Sequence, residues 1–173
     1  MLQHESQGLT LIEIMTVISI VSLLVVISIP IYSSYSTKSK FAELYANIDE
    51  YKDEMEAAYA ATDQFPSSFS NLSVSTYTNI STRVLQQIYY GVSSSSQAGY
   101  LLFYTQDLGV PGFVIANSSG SGGTANRIAL AAIVTTTGET RFYCGQWDGG
   151  TADVPLDYLA ASCQDTNISA LIS

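Results

Sequence analysis

The chain begins with a long apolar segment that the pattern of its residues predicts to be a membrane-spanning helix. From Leu9 to Ile29 nearly every residue is apolar or a small hydroxyl residue, and no glycine interrupts the run. An apolar run of this length is typical of a helix that crosses a membrane, not of a helix in a protein core. If helical, the segment 9–32 extends about 36 Å, at about 1.5 Å per residue.

Beyond Pro30 the helical pattern continues, with apolar residues on one face only. They recur at alternating spacings of three and four, at Phe41, Leu44, Ile48, Tyr51, Met55 and Tyr59. This spacing is typical of an amphipathic helix that packs one stripe against its own domain. We therefore predict one long helix over about 9–61, bent at Pro30 because proline removes a backbone hydrogen bond. Its second half, 33–62, would be the spine of a globular domain.

The rest of the chain predicts a sheet preceded by irregular structure. Residues 63–99 are rich in Ser, Thr and Asn and are predicted as connecting loops, with 82–90 as a short helix. Strand patterns follow at Tyr100–Tyr104, Gly112–Ala116, Arg127–Thr136 and Glu139–Cys144, with turns at 118–123 and 137–138. Successive strands with short turns favour an antiparallel sheet of about four strands within 100–173, covered on its buried face by the long helix. The predicted fold class is α+β.

One carboxylate lies within the apolar run. Glu13 is the single charged residue between Ser6 and Thr37. A carboxylate inside a membrane-spanning helix is costly unless it finds a partner, and an isolated helix offers it no cation. The partner must therefore come from elsewhere, and the nearest unclaimed positive charge would be a chain terminus.

The residues around this carboxylate match a processing motif. The segment 8–13, Gly-Leu-Thr-Leu-Ile-Glu, resembles the motif Gly-Phe-Thr-Leu-Ile-Glu of type IV prepilins. In that family a membrane-embedded peptidase cuts after the glycine and methylates the new amino group. The resemblance implies a leader of residues 1–8, cleavage between Gly8 and Leu9, N-methylation of Leu9, and Glu13 as the fifth mature residue.

The resemblance extends to Pro30, which falls where the family carries a helix-kinking proline. The chain departs from the family in two places: Leu9 replaces the usual Phe, and the leader contains no Lys or Arg, although family leaders are usually basic.

Two other interpretations of the N-terminal segment are a secretory signal and a plain membrane anchor. A secretory signal has a basic start, a shorter apolar stretch and a small-x-small cleavage site, and this segment has none of these. A plain anchor explains the length of the run but not Glu13.

The two cysteines are predicted to form a disulfide. Cys144 and Cys163 are 19 positions apart, in a part of the chain expected to lie outside the cytoplasm, where a disulfide is the default. Closing such a loop stabilises a fold by about 3 kcal/mol in the chain-entropy model. A metal site would need further ligands, but the one histidine, His4, belongs to the leader. The pair also matches the C-terminal disulfide loop that the resemblance implies.

Composition argues against several classes of function. With 15 acids and 6 bases the net charge is −9, so the chain is a poor candidate for direct nucleic-acid binding. Without a mature histidine no Ser–His or Cys–His dyad is possible, and we expect neither an enzyme nor a cofactor.

A glycine-containing loop with Asp148, Asp153 and Asp157 offers hard oxygen ligands for Ca²⁺. We favour the alternative that these acids are solvated in a surface loop.

The resemblance predicts a structural function. The chain would be a type IV pilin, and we favour a major over a minor subunit. It would pass from the bacterial inner membrane into an extracellular filament for adhesion, motility or DNA uptake. Its partners would be other copies in a helical homopolymer, the prepilin peptidase and the inner-membrane assembly machinery. Two alternatives are a minor pilin or pseudopilin of a secretion or competence machine, and a membrane-anchored binding protein that never polymerises.

Overall fold

The computed structural model describes residues 10–67, 77–80, 82–108, 127–150 and 153–172. By its internal contacts the chain divides into two compact units, Met1–Lys38 and Ser39–Ser173. A single long helix, α1, covers Leu11–Thr62. The predicted strand 112–116 and the predicted turn 118–123 lie outside the described residues.

The first unit consists of the apolar part of α1. Its apolar side chains, among them Leu11, Ile18 and Leu23, are largely exposed. The helix is long and apolar enough to cross a membrane. Its hydroxyl groups donate to carbonyls of the same helix, as Ser19 does to Met15 at 2.7 Å and Ser28 does to Leu24 at 2.7 Å. These polar groups therefore have partners within the helix, as a helix that crosses a membrane would require.

The second unit contains an antiparallel sheet of five strands in sequence order. The strands are β1 Tyr77–Asn79, β2 Leu85–Val92, β3 Ala98–Thr105, β4 Arg127–Val134 and β5 Thr140–Gly145. The predictions for β3, β4 and β5 are confirmed to within a few residues. The tight connection at 137–138 is also confirmed, because Gly138 adopts a φ of 83° and its amide donates to Thr135. The fold is the α+β, pilin-like arrangement that was expected.

The prediction of a short helix at 82–90 is wrong, and the predicted loop region 63–99 contains two strands, β1 and β2. Residues 63–67 and 93–97 are irregular, as predicted, and 68–76 and 81 lie outside the described residues.

Strand β2 covers most of the residues that were predicted to form the short helix. It pairs with β3, and Tyr90 lies opposite Leu101. Its residues Ile88, Tyr89, Tyr90 and Val92 are β-branched or aromatic, which suits a half-buried pleated surface. The backbone groups of this segment form hydrogen bonds with the neighbouring strand, whereas in a helix they would bond to each other. With β1 the sheet has five strands, one more than expected.

The amphipathic half of α1 covers one face of this sheet. The predicted stripe is confirmed, because Phe41, Leu44, Ile48, Tyr51 and Met55 are buried and Tyr59 packs against them. The ring centroids of Tyr51 and Phe103 are 5.5 Å apart. A Cβ atom at Gly99 would come within 3.1 Å of Met55 and Phe65, so a larger residue at this strand position would require these side chains to shift by a few tenths of an ångström.

The opposite face of the sheet carries a second, smaller cluster. Leu102, Ala129 and Ala131 are buried there together with Ile168, which comes from the C-terminal segment. The short helix α2, Ser169–Ile172, follows this residue. The C-terminal segment is thus part of the packed domain.

Candidate functional site

The start of α1 is organised by two side chains that bond reciprocally. Thr10 directly precedes the helix and Glu13 lies in its first turn. The Thr10 amide and hydroxyl donate to Glu13 Oε2 at 2.9 and 2.7 Å, and the Glu13 amide donates to the Thr10 hydroxyl oxygen at 3.3 Å. This arrangement is a capping box, which satisfies amide groups that have no partner within the helix.

From the sequence alone Glu13 is expected to find a partner outside its own helix, and its bonds to Thr10 at the start of that helix were not predicted. The signal was present, because a hydroxyl residue followed three positions later by Glu is the sequence pattern of a capping box. Within the described part of the chain, Glu13 forms no ion pair. Among the described residues the carboxylate therefore has hydrogen-bond donors but no cation. Gly8 and Leu9, the residues of the predicted cleavage site, lie outside the described residues.

Pro30 lies within α1. Two residues before it, the hydroxyl of Ser28 donates to the carbonyl of Leu24, and seven residues after it the hydroxyl of Thr37 donates to the carbonyl of Ser33. Side chains near the proline are therefore already bonded to the backbone. The predicted bend at Pro30 stays a prediction.

The predicted disulfide is confirmed, because Cys144 in β5 is bonded to Cys163. Cys163 lies in a 3-10 turn, Ala161–Cys163, and is buried. Backbone bonds reinforce the link, since the Asp165 amide donates to the Cys144 carbonyl at 3.0 Å and the Gln146 amide donates to the Asp165 carbonyl at 2.8 Å. The Asp165 side chain also accepts the Cys144 amide. The C-terminal segment therefore lies along the end of β5.

Two of the three acids of the calcium hypothesis are bound to Arg127 at the start of β4. The guanidinium contacts Asp148 Oδ2 and Asp153 Oδ1, each at 2.6 Å. The second oxygen of Asp153 accepts the backbone amides of Asp148 and Gly149, at 3.0 and 3.1 Å. Asp157 lies apart from them, in the exposed 3-10 turn Leu156–Tyr158.

This cluster is an internal ion pair network with opposing effects on its two carboxyl groups. Hydrogen bonding to Arg127 lowers the pKa of Asp148, whereas burial raises the pKa of Asp153, whose side chain is 0% exposed. Among the described residues, no three His, Cys, Asp or Glu side chains come together as metal ligands would. Asp148 and Asp153 thus hold the loop after β5 against β4, which differs from the solvated acids that we favoured. Asp157 is exposed, as we favoured.

No protein-family model matches the chain, and no curated protein matches it significantly. The likeness to pilins therefore depends on two things: the residues of segment 8–13, and the α+β fold with its long N-terminal helix and Cys144–Cys163 disulfide.

Proposed function

We propose that this chain is a type IV prepilin whose mature form is the structural subunit of a surface filament, without enzymatic activity. One observation carries the proposal: an exposed apolar helix of membrane-spanning length has a carboxylate in its first turn, and the same helix forms the spine of a pilin-like domain. A plain anchor would need the apolar length but not Glu13.

The processing follows from the motif at 8–13. The prepilin peptidase removes the leader 1–8 and methylates the amino group of Leu9. The subunit then resides in the bacterial inner membrane, anchored by the apolar part of α1. The assembly machinery of that membrane transfers it into the filament, where the apolar side chains contact the helices of neighbouring copies instead of lipid.

Glu13 is the assembly residue in this proposal. In the apolar filament core a buried carboxylate and a buried amino group are each costly alone, and each neutralises the other when they pair. The Leu9 amino group of a neighbouring subunit supplies that cation. Because the two charges belong to different copies, their pairing also fixes the axial position of the incoming helix. The filament would serve adhesion, motility or DNA uptake, and this acidic chain would not bind DNA directly.

The test replaces the charge without changing the shape of the side chain. Glu13→Gln should leave the protein cleaved and in the membrane but abolish the fibres seen by electron microscopy of sheared cell surfaces. Glu139→Gln, which alters an exposed acid near the turn between β4 and β5, should form fibres normally. Mass spectrometry of fibres should find this chain beginning at an N-methylated Leu9.

Three results would contradict the proposal. Normal fibres from Glu13→Gln would remove the assigned role of the carboxylate. A mature terminus beyond Pro30 would instead support a secretory signal, and a wild-type chain that stays in the membrane without ever entering fibres would support the anchored binding protein.

A further inference from the structure

The exposed surface of α1 changes in character at the end of its apolar run. From Thr10 to Ile31 every residue except Glu13 is apolar or carries a small hydroxyl group. Three residues that combine an apolar body with a polar end follow at intervals of three: Tyr32, Tyr35 and Lys38. The two tyrosines are 75% and 72% exposed, and the lysine is exposed as well. Side chains three positions apart are neighbours on a helix surface, so these three form one row, the Tyr–Lys row.

Nothing in the described part of the chain uses the polar atoms of the Tyr–Lys row. Neither tyrosine hydroxyl has a hydrogen-bond partner there, and the Lys38 ammonium has no ion-pair partner. The nearby Lys40 differs, because its ammonium donates to the carbonyl of Asp107 at 3.0 Å. The row therefore offers two hydroxyl groups and one cation, directly after a segment that is long and apolar enough to cross a membrane.

We propose that the Tyr–Lys row is the contact of α1 with the lipid headgroups, and that Lys38 binds the phosphate of anionic phospholipids. The inference rests on the membrane stage of the proposed function and is independent of assembly into a filament. A tyrosine is favoured at a membrane boundary because its ring is apolar and its hydroxyl needs a polar partner. A lysine extends its ammonium to the headgroups while its methylene groups stay among apolar atoms.

The length of the helix before the row agrees with this assignment. The segment 11–31 extends about 31 Å at about 1.5 Å per residue, and the hydrocarbon core of a bilayer is about 30 Å thick. When Tyr32 lies at one boundary of this core, Glu13 lies close to the other. A carboxylate there is less costly than at the centre of the bilayer, because headgroups and water are within reach. The row thus fixes the depth of the whole apolar segment, including that of Glu13.

Depth-dependent fluorescence quenching tests the position of the two tyrosines. Trp147 is the one tryptophan of the chain, and Trp147→Phe removes its emission while keeping an aromatic ring against Tyr100. In this background Tyr32→Trp and Tyr35→Trp each place a reporter in the row, and Ile20→Trp places a matched reporter in the middle of the span. The full-length proteins are reconstituted into phosphatidylcholine vesicles that carry bromine at either the headgroup end or the far end of the acyl chains.

Bromine at the headgroup end should quench the reporters at 32 and 35 more strongly, and bromine at the far end should quench the reporter at 20 more strongly. If all three reporters are quenched best by the deep bromine, the helix spans the bilayer without the proposed boundary, and the inference fails while the proposed function stands. If lipid bromine quenches none of them, the chain does not insert, and both fail.

A second experiment tests the phosphate contact of Lys38. The reporter of Tyr35→Trp lies one helical turn before Lys38. The vesicles contain equal parts of phosphatidylcholine and phosphatidylglycerol, with bromine on only one of the two lipids, so the ratio of quenching by the two brominated lipids measures local enrichment. Lys38→Gln removes the cation. Arg141→Gln, which removes an exposed charge from β5, is the control for net charge.

We expect phosphatidylglycerol to be enriched about fivefold next to the reporter, the factor associated with one lysine at an anionic surface. Lys38→Gln should abolish this enrichment, and Arg141→Gln should leave it unchanged. Equal quenching by the two lipids in the parent protein, or an enrichment that survives Lys38→Gln, would overturn the phosphate contact. An equal loss in both variants would also overturn it, because net charge and not Lys38 would then be the cause.

Discussion

The hydroxyl oxygen of Tyr45 accepts the backbone amide hydrogen of Ala160 over 2.7 Å, although the two residues are 115 positions apart. The bond joins the middle of α1 to the connection between the two 3-10 turns, just before Cys163. Burial raises the pKa of the Tyr45 hydroxyl, so this group stays neutral over the physiological range. The C-terminal loop is therefore attached to the helix as well as to the sheet.

Tyr45→Phe should detach the loop locally. The variant keeps the ring but removes the acceptor, which should lower the free energy of unfolding by about 1 kcal/mol. Limited proteolysis should show faster cleavage within 155–162, measured together with the denaturation midpoint. Tyr158→Phe, in an exposed residue of the first 3-10 turn, is the control and should change neither quantity. Unchanged proteolysis in Tyr45→Phe would mean that the bond contributes nothing to the attachment.

Cys163→Ser should destabilise the domain more than Tyr45→Phe does. Opening the disulfide removes about 3 kcal/mol in the chain-entropy model, and the serine is left at a buried position. The variant should accumulate to lower levels or become protease-sensitive. Alkylation of both thiols in native, unreduced protein would contradict the disulfide on which this prediction depends.

Arg127→Met should be strongly destabilising, because it leaves the buried Asp153 carboxylate without its cation. Breaking a buried pair from one side costs about 3 kcal/mol or more. Chemical denaturation measures the loss. Arg141→Met, which removes an exposed charge from β5, is the control and should have little effect. The double variant Arg127→Met with Asp153→Leu should regain part of the loss, and a loss unchanged by the second substitution would argue against the uncompensated charge as its cause.

The contribution of Asp148 should depend on pH. Its pKa is lower in the folded protein than in the unfolded chain because of Arg127, so its stabilising effect is present above about pH 3.9 and is lost as the pH falls through the folded-state pKa. The difference in unfolding free energy between wild type and Asp148→Asn should therefore stay constant from pH 7 down to about pH 3.9 and shrink as the pH falls further towards the folded-state pKa. In an Arg127→Met background this pH dependence should be weakened, and an unchanged dependence there would contradict the assigned cause.

In a filament, the helix near Pro30 should stretch or melt locally. Proline has already removed one backbone hydrogen bond, and the hydroxyls of Ser28 and Ser33 can satisfy carbonyl groups that are set free. A filament map at side-chain resolution is the measurement. Unbroken helix from Leu9 to Tyr59 in such a map would refute the prediction.

The sequence alone determined the features that depend on neighbours along the chain. An apolar run, a stripe with helical spacing and strands separated by short turns are local patterns. The long helix, its apolar stripe and strands β3, β4 and β5 appear where they were expected. The capping box at Thr10 and Glu13 was equally local, and its pattern was present but not recognised. The partner of Cys144 was readable as well, because the chain has only one other cysteine.

Tertiary structure decided the features that depend on residues far apart in sequence. Strand β2 was taken for a helix, since its strand conformation depends on pairing with β3 and on burial of Ile88 beneath α1. Asp148 and Asp153 were taken for solvated groups, because their cation, Arg127, precedes Asp153 by 26 positions. Neither the pairing of β2 with β3 nor the ion pair between Arg127 and Asp153 leaves a periodic pattern in the sequence. Hydrogen bonds and charges are satisfied by whatever group the fold brings near, and that group is known only once the backbone has been placed.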